Sequence, residues 1–259
     1  MFHIIKSYIV FLWHSKNEHA VHSPFVFHFI TKCLYDKKEF PEYTLLKNYR
    51  QALLQNKSTI AVTDFGAGSR VFKTNDRSIS KIASTAGITE KRAQLLFRVT
   101  KYFSPEKVLE IGTSLGLATA ALALANKHTQ ITTIEGCPQT AQTASEQLQL
   151  AGLNNITTVV SEFKSYLLEQ QSVPTSYNLI YFDGNHQKQP TLDYFEMLLP
   201  TATNDSVWIF DDIHWSAAME EAWETIKKHP RVTVTIDTFQ WGIVFFRKEQ
   251  PEQHFVIRT

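Results

Sequence analysis

The sequence predicts an α/β fold in which a doubly wound, seven-stranded, mostly parallel sheet ends in an antiparallel hairpin. From residue 107 onward, short apolar segments alternate with helical patterns, which is the order of βαβ units around a parallel sheet. The last two apolar segments are joined by too few residues for a parallel crossover, so they indicate a hairpin. The predicted strands are residues 108–111, 131–134, 156–160, 177–182, 207–210, 232–236 and 243–246.

Helical patterns fill the intervals between these strands and most of the N-terminal region. The predicted crossover helices are residues 115–126, 138–151, 163–169, 192–199 and 217–229. Ser23 and Pro24 form a helix-start signal, residues 89–102 form another predicted helix, and residues 60–77 indicate an irregular connection. We therefore expect a mostly helical region over residues 1–103, acting as a cap, lid or dimerisation region, and a ligand-binding α/β domain over residues 104–259.

Composition and charge narrow the function classes. The 259 residues are 43% hydrophobic, and 26 basic against 25 acidic side chains leave a formal charge of +1, so no nucleic-acid partner is expected. The two cysteines, Cys33 and Cys137, have no spacing typical of a metal site or a disulfide framework, which favours a cytoplasmic setting. Residues 1–13 form an apolar helical pattern that is too short to span a bilayer. We expect it to pack within the protein or in a homodimer, without stable membrane insertion.

A strand, two glycines and an Ala/Leu-rich helix follow one another at residues 108–120, a pattern typical of a nucleotide-like ligand bound at a helix N-terminus. The candidate binding residues in this loop are Glu110, Gly112, Thr113, Ser114 and Gly116. The glycines are four residues apart, so the dinucleotide pattern is absent. A carboxylate beside a pyrophosphate would cost roughly 1 to 4 kcal/mol at about 4 Å. The ammonium and sulfonium groups of S-adenosylmethionine would instead be attracted to Glu110.

The next two predicted strands also end in acidic residues. Glu135, followed by Gly136, can accept hydrogen bonds from both hydroxyls of a ribose, although NAD enzymes place an acid at the same position. Glu162 and Phe163 can meet the amino group and the ring of an adenine. The alternatives are that Glu110 and Glu135 only stabilise helix N-termini, and that Glu162 and Phe163 are a first-turn acid and a core aromatic.

Four segments together resemble the class I S-adenosylmethionine-dependent methyltransferases. They are L-E-I-G-T-S-L-G at 109–116, T-I-E-G at 133–136, Y-F-D-G-N-H at 181–186 and I-F-D-D at 209–212. Residues 89–247 are most similar to the metal-assisted small-molecule O-methyltransferases and the related sugar and macrolide enzymes. The resemblance implies a Rossmann-like methyltransferase fold with S-adenosylmethionine as cofactor. It places Glu110, Gly112, Ser114 and Gly116 around the methionine part, Glu135 on the ribose, and Asp183 near the methyl-transfer point.

Candidate catalytic residues follow the fourth and fifth strands. Asp183, Asp211 and Asp212 stand at strand ends that are neighbours in the implied topology, and an oxygen-only set of this kind suits Mg²⁺. Asp183 can instead serve the cofactor without a metal. The resembled sugar-type enzymes often have D-G-D where this chain has Asn185, and an amide cannot accept the acceptor's proton. His186 and His214 are the natural replacements, either as bases or as ligands; a surface role is the alternative.

We predict methylation of a hydroxyl group on a small molecule or sugar-like acceptor, whose identity the sequence does not specify. An N-methyltransferase acting on RNA or protein is one alternative, and a non-catalytic cofactor-binding or interaction protein is another. A second glycine loop, residues 64–69, is not followed by an apolar helix, so a turn or lid is expected there. Its neighbours Arg70, Lys73 and Arg77 either bind an anionic acceptor or belong to a solvated loop.

Overall fold

Strands and helices alternate from residue 107 onward as the sequence predicts. The structure, a computed structural model, describes residues 2–63, 65, 74–172 and 175–259. Helices α1 to α10 are Phe2–His14, Pro24–Phe29, Glu42–Gln55, Ile79–Thr85, Glu90–Phe103, Leu117–Ala125, Pro138–Leu150, Phe163–Gln170, Lys188–Leu198 and Ala217–Lys227. Strands β1 to β10 are Thr59–Ala61, Asp76–Ser78, Lys107–Ile111, Gln130–Glu135, Ile156–Val160, Leu179–Phe182, Val207–Asp211, Val234–Asp237, Trp241–Phe245 and Gln253–Val256.

Internal packing divides the chain into two units. One consists of Met1–Asp36 with Leu167–Thr259, and the other is Lys37–Tyr166. These units describe packing, and the functional division at residues 103 and 104 stays a prediction.

The unit Lys37–Tyr166 contains the parallel strands β3, β4 and β5, in that order. Four of the five residues of β3 are buried, and α6 is buried around almost its whole circumference, as its run of alanine and leucine predicts. Helices α3 and α5 both contact α6. Strands β1 and β2 pair antiparallel, so the connection predicted as irregular over residues 60–77 carries a short strand at each end.

The other unit contains strands in the order β10, β8, β9, β7, β6. Strands β6 and β7 are parallel, and β9 runs antiparallel to both β7 and β8, which confirms the predicted hairpin. Strand β10 pairs in parallel with β8 and was not predicted, so eight strands are described from residue 107 onward where the sequence predicts seven. The register pairs Phe182 with Phe210, which brings the residues that follow them, Asp183 and Asp211, to the same sheet edge.

Helices α1 and α2 belong to this same unit. The Ser23 hydroxyl accepts a hydrogen bond from the Val26 N–H and Pro24 opens α2, as predicted. Helix α1 buries Ser7 and Phe11, while a row of apolar side chains on its other face, including Ile5, Ile9 and Trp13, is exposed. The homodimer that we expect through this region stays a prediction. Among the described residues, no helix combines the length and the apolar character that crossing a bilayer requires.

Of the second glycine loop, residues 64–69, only Phe65 is among the described residues. Arg70 and Lys73 also lie outside them, whereas Arg77 lies in β2. The lid hypothesis therefore stays a prediction.

Candidate functional site

The predicted cofactor loop turns sharply between β3 and α6. Its backbone has positive φ angles of 106° at Gly112, 48° at Ser114 and 75° at Gly116. Such angles cost little at glycine and are uncommon for serine. The Gly112 and Thr113 N–H groups both donate to the Ile134 carbonyl at the end of β4. The loop is thereby fixed against the strand that carries Glu135.

The Glu135 carboxylate, which is half-buried, also contacts this loop. Its Oε2 atom accepts a hydrogen bond from the Ser114 N–H at 2.9 Å, and its Oε1 atom accepts one from the Cys137 N–H at 3.0 Å. Hydrogen bonds to an ionised carboxylate are stronger than neutral ones. Glu135 thus holds a fixed position from which it can accept further bonds from ligand hydroxyls.

Glu110 lies in the interior, with no exposed surface. Its Oε2 atom accepts hydrogen bonds from the hydroxyls of Thr119 at 2.5 Å and Thr133 at 2.6 Å, and Thr133 in turn contacts the Thr113 hydroxyl. Its Oε1 atom is buried and has no hydrogen-bond partner in the described part of the chain. Burial is the main cause that raises the pKa of Glu110 to about 7; the charge of Glu135 acts in the same direction, and the two threonine hydroxyls oppose it.

Tyr49 on α3 is part of this loop's surroundings and was not predicted. Its ring is buried, and its hydroxyl donates a 2.8 Å hydrogen bond to the Leu115 carbonyl. A Cβ atom added at Gly116 would lie only 2.8 Å from that hydroxyl. The sequence shows Tyr49 only as one member of the apolar face of α3, a pattern that does not report a hydroxyl contact 66 residues away.

The remaining predicted cofactor residues lie at the ends of β4 and β5. Gly136 follows Glu135, and the ring of Phe65 covers the space that a side chain at Gly136 would fill. Glu162 is exposed and Phe163, at the start of α8, is half-buried. The contacts predicted between these two residues and an adenine stay a prediction.

This arrangement fits S-adenosylmethionine chemically. A buried carboxylate with an unpaired oxygen is costly unless a cation or a hydrogen-bond donor reaches it, and Glu110 has such an oxygen. Glu135 adds a second carboxylate beside the same loop. Both are suited to the ammonium, sulfonium and hydroxyl groups of this cofactor and unsuited to a pyrophosphate.

The loop after β6 carries the predicted acid Asp183 and the predicted base His186. The Asp183 Oδ1 and His186 Nε2 atoms are 3.8 Å apart, and both side chains are only partly exposed. Asn185 and His186 have consecutive positive φ angles of 71° and 35°, and the Asn185 amide donates to the Tyr194 hydroxyl. Strained backbone of this kind is often found at functional sites. His186 is in this segment of positive φ, close to Asp183.

Asp211 is the last residue of β7 and Asp212 follows it, at the sheet edge where β6 also ends. Asp211 is 4% exposed, and its Oδ1 atom accepts a hydrogen bond from the Asp212 N–H, where φ is 53°. In the described residues, no group of three or more acidic, histidine or cysteine side chains is arranged to hold a metal ion. The Mg²⁺ site predicted at Asp183, Asp211 and Asp212 therefore stays a prediction.

His214 is held between two carboxylates. Its Nδ1 atom lies 2.7 Å from Glu220 Oε1, its Nε2 atom lies 2.9 Å from Asp237 Oδ2, and its ring stacks on Phe239. Burial favours the neutral ring, but the hydrogen bonds and charges of Asp237 and Glu220 outweigh it and raise the pKa of His214. An imidazolium with both nitrogens engaged is a poor proton acceptor. Both nitrogens of His214 are thus engaged by carboxylates, and its catalytic role stays a prediction.

Comparison with known families places a recognisable domain over this part of the chain. Residues 109–213 match a family model described as a methyltransferase domain. This range contains the glycine loop, both carboxylates near it and the strand ends at Asp183 and Asp211.

Several solved structures share the fold. One is an O-methyltransferase from Bacillus cereus in complex with S-adenosylhomocysteine, at 17% identity and a TM-score of 0.58 over 85% of this chain and 96% of that one. Another is TomG from Streptomyces achromogenes, an O-methyltransferase involved in tomaymycin synthesis and solved with S-adenosylmethionine. It is 16% identical, with a TM-score of 0.57 over 85% of this chain and 94% of that one. A third is a methyltransferase from Podospora anserina bound to S-adenosylhomocysteine, at 12% identity and a TM-score of 0.61 over 88% of this chain and 97% of that one.

Proposed function

We propose that this chain, which has the fold of the class I S-adenosylmethionine-dependent methyltransferases, methylates a hydroxyl group of a small molecule. The observation that carries the proposal is the pair of carboxylates, Glu110 and Glu135, at the glycine loop between β3 and α6. The O-methyltransferases among the proteins of the same fold support the hydroxyl as acceptor.

Each part of the loop has a role in holding the cofactor. Gly112 and Gly116 let the backbone approach the methionine part, and Glu110 offers its unpaired oxygen to the cationic groups. Glu135 accepts hydrogen bonds from the ribose hydroxyls while the Ser114 N–H keeps its carboxylate in place. The Tyr49 hydroxyl holds the loop carbonyl at Leu115.

When bound, S-adenosylmethionine would supply a methyl carbon activated by the sulfonium. An acceptor oxygen that attacks this carbon in line would form the C–O bond as the C–S bond breaks and S-adenosylhomocysteine leaves. The protein must orient the acceptor and accept its proton. We assign the proton to His186 Nε2, since Asn185 cannot take it and His214 is already engaged on both nitrogens. The Asp183 Oδ1 atom lies 3.8 Å from His186 Nε2, the atom that takes the proton.

Calorimetry tests the cofactor assignment. We expect the wild-type protein to bind S-adenosylmethionine and S-adenosylhomocysteine and not NAD. Glu135→Gln removes a charged acceptor and should weaken both by about 10- to 100-fold, the range of a charge-assisted hydrogen bond. Glu146→Gln, an exposed acid on α7, is the matched control and should bind like the wild type. Binding of NAD in preference to S-adenosylmethionine would contradict the proposal.

The acceptor class is tested by turnover with S-adenosylmethionine carrying a labelled methyl group. Phenolic, catecholic and sugar-like hydroxyl compounds are compared with amines of similar size, each with added Mg²⁺ and with a chelator. Label transfer to hydroxyl compounds is the expected result. Transfer to amines alone would exclude O-methylation.

A further inference from the structure

The segment that leads into the second glycine loop is fixed along the N-terminal end of α7. The Ala61 N–H donates to the Gln139 side chain at 2.7 Å, and the Thr63 N–H donates to the Cys137 sulfur at 3.3 Å. The Cys137 thiol in turn contacts the Ala61 carbonyl. These bonds connect residues 61–63 to the turn that follows Glu135, and Phe65 comes two residues later.

Phe65 lies directly over Gly136. An ideal Cβ atom at Gly136 would be 2.7 Å from one ring carbon of Phe65 and 3.1 Å from the next, so any side chain at this position would displace the ring. The Phe65 ring is nevertheless 49% exposed. Gly136 therefore makes room for an aromatic ring that keeps much of its surface open, one residue beyond Glu135.

We propose that Phe65 is the surface on which the adenine ring of the cofactor stacks. This inference rests on the proposed function, because it takes Glu135 to hold the ribose. The adenine is bonded directly to that ribose, so a flat apolar surface next to Glu135 is within its reach. Aromatic side chains are common partners of nucleobases because every base presents a π face.

The inference also gives a function to a segment that the sequence pattern leaves unexplained. Residues 64–69 resemble a nucleotide loop, but no apolar helix follows them. Phe65 binds the nucleoside through its ring, and the role of Gly136 is to leave space for that ring.

Calorimetry with two ligands tests this assignment. S-adenosylhomocysteine contains the whole nucleoside and the amino-acid part, whereas 5′-methylthioadenosine contains only the nucleoside with a methylthio group. Phe65→Ala should weaken both by about tenfold, since the lost stacking concerns the base that they share. Phe65→Tyr keeps the aromatic face and should stay within about twofold of the wild type. Gly136→Ala should weaken both ligands, because its methyl group displaces the ring.

Tyr102→Ala is the matched control, since Tyr102 is a partly exposed aromatic residue on α5 in the same unit. It should leave both affinities unchanged, and thermal melts of all variants confirm that they are folded. Wild-type affinity in Phe65→Ala would overturn the inference while leaving the proposed function in place. Tighter binding in Phe65→Ala would also overturn it, because the ring would then block the site. Failure of the wild type to bind S-adenosylhomocysteine would overturn the proposed function itself, and this inference with it.

Discussion

The Ser114 N–H and the Glu135 carboxylate are joined by a 2.9 Å hydrogen bond. Since the Gly112 and Thr113 N–H groups both donate to the Ile134 carbonyl, the glycine loop and the end of β4 form one rigid element. A ligand that binds Glu135 therefore meets a carboxylate whose position the loop already fixes. Changes in the loop backbone should accordingly be measurable as changes in cofactor affinity.

Gly116→Ala tests this coupling. The added methyl group meets the Tyr49 hydroxyl at 2.8 Å and is placed at a φ of +75°, so it both strains the backbone and displaces the loop. We expect S-adenosylhomocysteine to bind at least about tenfold more weakly, a free-energy change of about 1.4 kcal/mol.

Gly152→Ala is a control with almost the same φ, +76°. Apart from its chain neighbours, no described residue has an atom within 4 Å of the added carbon. It should cost about 1 to 2 kcal/mol of unfolding free energy, the cost of a left-handed alanine. Its cofactor affinity should be that of the wild type. Equal losses of affinity in the two variants would contradict the coupling.

Tyr49→Phe removes a single hydroxyl and keeps the ring. The Leu115 carbonyl loses its hydrogen bond, so we expect about 1 kcal/mol less stability together with weaker cofactor binding. Tyr43→Phe on the same helix removes a hydroxyl that accepts a bond from Arg98. Tyr43→Phe should lower the urea concentration at the midpoint of unfolding without changing cofactor affinity. Unchanged affinity in Tyr49→Phe would show that its hydroxyl does not position the loop.

Local signals account for what the sequence predicts correctly. Strand β3, the glycine turn, α6 and the Ser23 cap each depend on residues close together in the chain, and all are found near the predicted positions. Strand β10 was missed because its four residues are partly exposed and mix polar with apolar side chains.

Contacts between distant segments are what the sequence does not report. The catalytic role predicted for His214 stays a prediction, but its contact with Asp237 joins residues 23 positions apart. Tyr49 and Phe65 act on the cofactor loop and on Gly136 only through tertiary structure. No periodicity in the sequence reports such contacts.

The raised pKa of Glu110 should be measurable in the pH dependence of the unfolding free energy. Its pKa is about 7 in the folded protein and 4.5 without the protein environment, so its neutral form favours folding. The stability it contributes is complete below pH 4.5 and is lost as the pH rises through 7, to an extent on the order of 3 kcal/mol. Urea unfolding of wild type and Glu110→Gln at pH 5 to 8 measures this difference. Parallel pH profiles for the two proteins would contradict it, and Glu146→Gln should follow the wild type.

Helix α1 is the surface through which we expect two copies to associate. Ile5, Ile9 and Trp13 are 54%, 60% and 86% exposed, and they lie on one face of the helix. A contiguous apolar face of this kind commonly marks an interface. Light scattering should give the mass of a dimer for the wild type and of a monomer for Ile9→Glu. Leu150→Glu, on α7 at a site that is 81% exposed, should remain dimeric. A monomeric wild type would exclude this interface.

Substitutions of His186 and His214 should have different effects, the first on turnover and the second on stability. His186→Gln removes the proposed base, so kcat should fall by about 10²- to 10⁴-fold while cofactor affinity and the urea midpoint stay unchanged. His214→Gln leaves the carboxylates of Glu220 and Asp237 without the cation that joins them, so unfolding free energy should fall by about 1 to 3 kcal/mol.

The effect of His214 also depends on pH. Its raised pKa means that the stabilisation is complete below pH 6.5 and is lost as the pH rises through the higher folded value. The stability difference between wild type and His214→Gln should therefore shrink in alkaline buffer. The contrary result is a His214→Gln protein that folds and binds the cofactor yet loses as much turnover as His186→Gln. That result would show that His214 acts in catalysis although both of its nitrogens contact carboxylates.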